Sequence, residues 1–372
     1  MAWVDRREAD NAMAWQHDSD PEKSAALLGI FDFSYQHYAL GDLLTNQVNL
    51  AILASEQGLR HVDMLVMVNP DRPSARQQTF VTRTNYIAHL DNVMPVFACN
   101  PLLRSLQLVR DIQTFNFMVA LRHRNQAPMW PDLSTHLKMR QDFPIDHGRI
   151  NAFYARHGHI PQLSAPRGYQ AWATRFHARE LGGRPLVIIN PRQSSLTENP
   201  TVTYRDAPLP AWHAFIDAVA DKRPEALFVM VGGFQEWEYR LLRRRNVFIP
   251  RAWGLRLSHE LALLKIADLF MGTSSGFATF ATFTDIAYAI VNVEHSFAGP
   301  AEVRINDRHF PFAKPNQTLT WRRETSDELL SLFDEVYAGT RPTDAMKTRA
   351  PAIGTQRAGS SRSTGSRPTA CD

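Results

Sequence analysis

Cysteine is nearly missing from this chain: Cys99 and Cys371 are the two thiols in 372 residues. Two cysteines build neither a disulfide framework nor a zinc site. Long apolar runs are missing as well. No stretch reaches membrane-spanning length, and no basic flank precedes an extended apolar core, so neither a transmembrane helix nor a signal peptide is expected. The expected location is cytoplasmic. Most of the chain also lacks any excess of one charge. The net charge is +4 and the pI is near 9.1. Residues 340–372 hold six basic residues against two acidic ones, which accounts for all of that excess. Basicity confined to a tail gives the body no electrostatic footprint for nucleic acid, and no nucleic-acid partner is expected.

What is present is an ordinary globular composition, 44% hydrophobic and 21% charged, in a chain long enough for two cores. The order of elements predicts two α/β halves. In the first, 25–33 (AALLGIFDF) reads as a buried strand, 43–56 as an apolar-periodic helix and 62–68 as a second strand. Between 71 and 161 the pattern blurs. Helices are expected at 84–93 and 101–110, strands at 96–98 and 118–121, an irregular stretch at 126–144 and a helix at 146–157. The second half alternates regularly. A helix at 167–181 leads to a strand at 185–190 and a long loop to 210. Helix 211–222, strand 227–231, helix 236–244, short strand 247–249 and a helix capped by Ser258 follow. The last helix is expected at 326–337, with Ser326 as its N-cap.

The most informative stretch is 267–293, ADLFMGTSSGFATFATFTDIAYAIVNV. It reads as strand, small-residue turn, helix, strand. Gly272 to Gly276 let a ligand approach the backbone, and the hydroxyls of Thr273, Ser274 and Ser275 suit phosphate or ribose. A turn that merely caps its helix is the plainer reading of this motif taken alone.

The ordered set of motifs resembles a GT-B-fold glycosyltransferase, specifically the heptosyltransferase (glycosyltransferase family 9-like) group. Ala39-Leu40-Gly41-Asp42-Leu43 is similar to that group's N-terminal Gly-Asp motif, and Ala267 to Gly276 to its donor loop. Asn190-Pro191-Arg192, Val231-Gly232-Gly233 and Glu236 give a weaker likeness. The group's donor loop carries an acid where Ser274 stands and a histidine where Thr279 stands. A lysine expected near the donor phosphates is also missing from the loop after Arg192.

The resemblance implies two Rossmann-like domains facing each other across a cleft. Residues 25–165 would form the acceptor domain and 166–338 the nucleotide-sugar donor domain. A loosely ordered arm (1–24) and a disordered basic tail (339–372) would flank them. It further implies metal-independent transfer of a sugar, hexosyl or heptosyl, from a nucleotide-sugar co-substrate to a hydroxyl of a glycan or glycolipid, with inversion. No metal or other cofactor is expected. Asp42 would be the catalytic base, with His37 in reserve, while Gly41 and Tyr38 would contact the acceptor. Arg192, Arg205, Glu236, Thr273, Ser274, Ser275 and Gly276 would bind the donor. Each has a plainer reading: Asp42 as an acid favoured in a helix's first turn, Arg205 as a solvated loop charge, Glu236 as helix surface. Two alternatives share the fold, a nucleotide-sugar epimerase and a catalytically silent nucleotide-sugar-binding protein. The basic tail suggests peripheral contact with the inner face of a membrane.

Overall fold

The computed structural model describes residues 25–73, 81–134, 145–193, 204–233 and 239–338. The arm before 25, Glu236 and the tail from 339 onward lie outside the described residues. The chain is α/β, with two sheets in which every described pairing is parallel.

In the first half β1 (Ala26–Asp32) leads to helix α1 (Leu40–Glu56), β2 (His61–Met67) and α2 (Tyr86–Asp91). A 3₁₀ turn at Met94–Cys99 precedes β3 (Leu103–Val109), α3 (Ile112–Arg124), β4 (Met129–Trp130) and α4 (His147–His157). The strand order is β3-β2-β1-β4. In the second half α5 (Tyr169–Arg179) is followed by β5 (Leu186–Asn190), α6 (Leu209–Lys222), β6 (Leu227–Met230) and β7 (Val247–Phe248). Then come α7 (Leu257–Lys265), β8 (Leu269–Thr273), α8 (Gly276–Thr282), β9 (Ala287–Val291), α9 (His295–Ala298), β10 (Gln317–Leu319) and α10 (Ser326–Ala338). Here the order is β10-β9-β8-β5-β6-β7. The chain grows outward from β5 in one direction and then restarts at β8 on its other side. Such a reversal leaves a crevice at the carboxyl ends of the two central strands.

Strands β1, β5, β8 and β9 are buried along their whole length. This is why they read as unbroken apolar runs: helices cover both faces of a parallel sheet. Helix α1 is the exception to simple patterning, being buried from Leu43 to Ala54 with Thr45, Asn46, Gln47 and Asn49 inside. Those amides and hydroxyls are internally satisfied. Thr45 Oγ1 donates to the Gly41 carbonyl at 3.0 Å, Gln47 Nε2 to Asn46 Oδ1 at 2.9 Å, and Asn100 Nδ2 to the Gln47 carbonyl at 3.3 Å. A helix so enclosed needs partners for its polar groups. The apolar cluster around it runs on into the second half through Leu261, Phe277 and Tyr288.

Several expectations are corrected. The stretch 96–98 belongs to the 3₁₀ turn, 101–110 holds strand β3 in place of a helix, and 118–121 lies inside α3 in place of a strand. At the edge of the first sheet β3 is exposed or half-buried throughout, so it offers no buried apolar run and a helical reading of LLRSLQLV competes with it. Helix α1 begins at Leu40 rather than at residue 43, drawing Gly41 and Asp42 into its first turn. Ser258 lies within α7, whose N-cap is Arg256. Thr325, not Ser326, caps α10, its Oγ1 accepting from the Glu328 N–H at 3.2 Å. No helix among the described residues is long and apolar enough to cross a membrane.

Candidate functional site

A cavity of about 380 Å³ lies where elements of both halves meet. Its first wall is the start of α1, contributing Ala39, Gly41, Asp42 and Thr45. Ala39 is the N-cap and supplies no side-chain hydrogen bond, so the first turn of this 17-residue helix, which lines the cavity, has no capping side-chain oxygen. Asp42 sits in that first turn. A helix start favours its carboxylate, and the Arg205 guanidinium does too, yet burial outweighs both and pushes the Asp42 carboxyl up to about 6.

The second wall comes from the carboxyl ends of β5 and β8. Ser275 caps α8 by accepting from the Ala278 N–H at 3.2 Å, and its hydroxyl donates to Asn190 Oδ1 at 2.7 Å. Asn190 Nδ2 in turn donates to the Val231 carbonyl at 2.8 Å. One asparagine at the tip of β5 therefore ties the β8 turn to the end of β6. Two residues further on, Arg192 reaches the cavity with Asp206 beside it, Nη1 to Oδ1 at 3.9 Å. The backbone fixes both ends of the intervening loop: the Ala207 N–H donates to the Arg192 carbonyl at 2.9 Å, and Gln193 Nε2 donates to the Ala207 carbonyl at 2.8 Å. Arg205 lines the same wall. Its guanidinium lies 6.0 Å from the Tyr204 ring centroid, and its buried Nε has no hydrogen-bond partner among the described residues.

The two walls touch at two glycines. A Cβ on Gly276 would stand 2.5 Å from the Leu40 Cβ, and one on Gly41 would stand 2.9 Å from Thr279 Oγ1. The starts of α1 and α8 cross so closely that neither position has room for a side chain. Thr279 lines the cavity and donates its hydroxyl to the Ser275 carbonyl at 3.1 Å.

The third wall is aromatic. Phe283, Phe297, Phe310 and Phe312 line it; Phe310 and Phe312 stack at 5.6 Å with their planes 4° apart, and Phe283 stacks on Phe312 at 5.9 Å. His147, the first residue of α4, completes this side. Burial lowers its pKa, against the opposing pull of Asp146, so the imidazole is neutral near neutral pH.

Of the residues singled out from sequence, Gly41, Asp42, Arg192, Arg205, Ser275 and Gly276 come together here. The others do not. Tyr38 packs inside the core, stacked on Phe33 at 4.6 Å and edge-on to Tyr86, and burial raises its phenol pKa. His37 is half-buried beside it and does not line the cavity. Thr273 ends β8 and Ser274 follows it. Both are fully buried, and neither hydroxyl has a hydrogen-bond partner among the described residues. The motif thus presents only its last two residues to the cavity, because Gly272 and Thr273 end the buried strand and Ser274 is buried directly after it. Sequence reasoning missed Thr45, His147 and the phenylalanine wall. The i, i+3 spacing of Asp42 and Thr45 was a usable signal for the first; Phe297, Phe310 and Phe312 carry no period that would have marked them. Among the described residues no group of three or more His, Cys, Asp or Glu side chains is placed to hold a metal ion.

No family model and no curated protein matches the chain. Similar folds occur among solved structures. A glycosyl transferase family 9 protein from Veillonella parvula shares 12% identity at a TM-score of 0.48, covering 84% of this chain and 97% of its own. The Escherichia coli ADP-heptose lipopolysaccharide heptosyltransferase II shares 11% identity at 0.49, covering 84% and 99%. An E. coli heptosyltransferase with ADP shares 13% at 0.43, covering 84% and 98%. The chain is similar to these in the course of its backbone.

Proposed function

We propose that the protein is a nucleotide-sugar-dependent glycosyltransferase, and one observation carries the reading. A half-buried carboxyl whose pKa is about 6 and two arginines share one cavity at the carboxyl ends of parallel strands. Transfer of a sugar from a nucleoside diphosphate needs both. Asp42 takes the proton of the acceptor hydroxyl as its oxygen bonds to the anomeric carbon. The bond from that carbon to the diphosphate oxygen breaks, and the electron pair leaves with the diphosphate. Arg192 and Arg205 neutralise the growing charge, helped by the N–H groups beyond Ser275. Attack opposite the leaving group inverts the anomeric centre, and the scheme uses no metal. The acceptor is a glycan or glycolipid hydroxyl, and the basic residues after 339 meet an anionic membrane surface on its cytoplasmic side.

The test is a thermal-shift screen of the wild type and Arg192→Ala against UDP, GDP, ADP, CMP and their common sugar conjugates. A ligand at about 100 times its Kd stabilises the folded state by about 2.7 kcal/mol. A shift with one nucleotide family, lost in the variant, supports the donor site and names its base. No shift with any of them removes the reading. A second reading has one observation in its favour: Asp42 and His147 are two titratable groups on one cavity, as a nucleotide-sugar epimerase needs. Deuterium from D₂O appearing on the sugar carbon would favour the epimerase over transfer. Binding with neither reaction would leave the silent binding protein.

A further inference from the structure

Asp42 and His147 reach the cavity from different helices, and one side chain joins those helices. Asn49 is fully buried on α1, seven residues beyond Asp42 and therefore on the same face. Its carboxamide is spent on a single backbone unit. Asn49 Nδ2 donates to the Asp146 carbonyl at 2.8 Å, and Oδ1 accepts from the Asp146 N–H at 2.8 Å. The Asp146 side chain then caps α4 by accepting from the Arg149 N–H at 2.9 Å. The backbone of Asp146, directly before His147, is thereby held at both its N–H and its C=O, leaving the imidazole only its own two torsions. One turn further along α4, Asn151 Nδ2 donates to the Ala301 carbonyl at 3.0 Å, and beyond it Tyr154 meets Phe312 edge-on at 6.4 Å, so the same helix borders the phenylalanine wall.

The charge that acts on His147 is that of Asp146, its neighbour, whereas Asp42 answers to Arg205. Through α4, His147 is joined to Ala301 and to the stacked phenyl rings, which line the same cavity. A neutral imidazole offers one N–H donor and one lone pair. Flat apolar rings beside one such polar group match a pyranose, which has a hydroxyl rim and an apolar C–H face, and do not match a diphosphate.

We infer that the His147 end of the cavity seats the sugar ring, with the imidazole hydrogen-bonding a ring hydroxyl and Phe310 and Phe312 covering the ring's apolar face. The inference rests on the donor reading above and extends it to the group being transferred.

Calorimetric titration of wild type, His147→Ala and His147→Gln compares each nucleotide with its sugar conjugate. The expected result is a conjugate weakened about tenfold by alanine, the order of one lost hydrogen bond, with the parent nucleotide unchanged. Glutamine, which can also donate and accept, should recover part of that loss. In wild-type protein the His147 imidazole resonance should move when the conjugate is added and stay in place with the nucleotide alone; this readout needs no variant to fold. An unmoved resonance, or nucleotide and conjugate weakened equally, overturns the assignment while leaving the donor site intact. A wild type that binds no nucleotide fails at the earlier step, and the assignment falls with it.

Discussion

The two helix starts that meet at the cavity are built in opposite ways. Helix α1 is 17 residues long, opens on an alanine with no capping side chain and carries an acid in its first turn. Helix α8 is seven residues long, is capped by Ser275 and carries no charge there. The capped start is anchored through Asn190 to two strand ends, whereas the uncapped one is fixed by complete burial of the helix behind it. Rigidity at a site can therefore come from a polar tie or from enclosure. The enclosed route leaves its first carboxyl on the cavity and its start without a side-chain cap.

The sharpest way to break this contrast is Asp42→Asn, which keeps the shape of the α1 start and removes its proton acceptor. Initial-rate assays on an identified acceptor should show transfer falling by about 10²–10⁴, with nucleotide affinity kept. In the wild type, log rate should rise with pH and level off above about 6, where Asp42 becomes ionised; a pH-independent rate would mean another base acts.

Next comes the contact between the two starts. Gly276→Ala puts a methyl 2.5 Å from the Leu40 Cβ, which is anchored to its backbone; a loss of about 1–3 kcal/mol is expected from urea unfolding. Gly41→Ala meets a threonine hydroxyl that can rotate, and should cost less. Equal costs would mean that the crossing is looser than its geometry.

Ser275→Ala removes the cap of α8 and its tie to Asn190, for about 1 kcal/mol by the same measurement. Since Ala39 contributes no side-chain hydrogen bond, Ala39→Ser should not destabilise α1.

The smallest expected effect is on stability against pH. The Asp42 carboxyl has a folded value of about 6 against an ordinary 3.8, so the folded state holds its proton more tightly. Stability from that proton is fully present below about 3.8 and is lost as pH rises through 6. Asp42→Asn should therefore gain stability relative to wild type above pH 6 and lose that advantage toward pH 4. The gain should stay within about 1 kcal/mol, because the side chain is only partly enclosed. An advantage that grows on acidification would reverse the sign and refute the burial argument.

Much of this was legible in the sequence, for identifiable reasons. Strands covered on both faces announce themselves as apolar runs, and 26–32, 186–190, 269–273 and 287–291 all did so. The edge strand β3, half in solvent, offered no such run and was misread as a helix. At the site, Arg192 just past a strand end and Asp42 in a helix's first turn were findable because charged residues are unusual company for buried segments. Thr273 and Ser274 misled because a hydroxyl in a small-residue turn looks the same whether it faces a ligand or the sheet interior. His147 stayed hidden because its placement depends on Asn49, 97 positions from the residue it holds. Local pattern carries no trace of such a pairing.

The closeness of Gly276 to Leu40 also bears on timing. Both residues line the cavity, so a motion that separates the starts of α1 and α8 must part them. In the proposed transfer such a separation would come before substrate is loaded or product leaves. Bulk added at either residue should then change the rate of that opening step as well as stability.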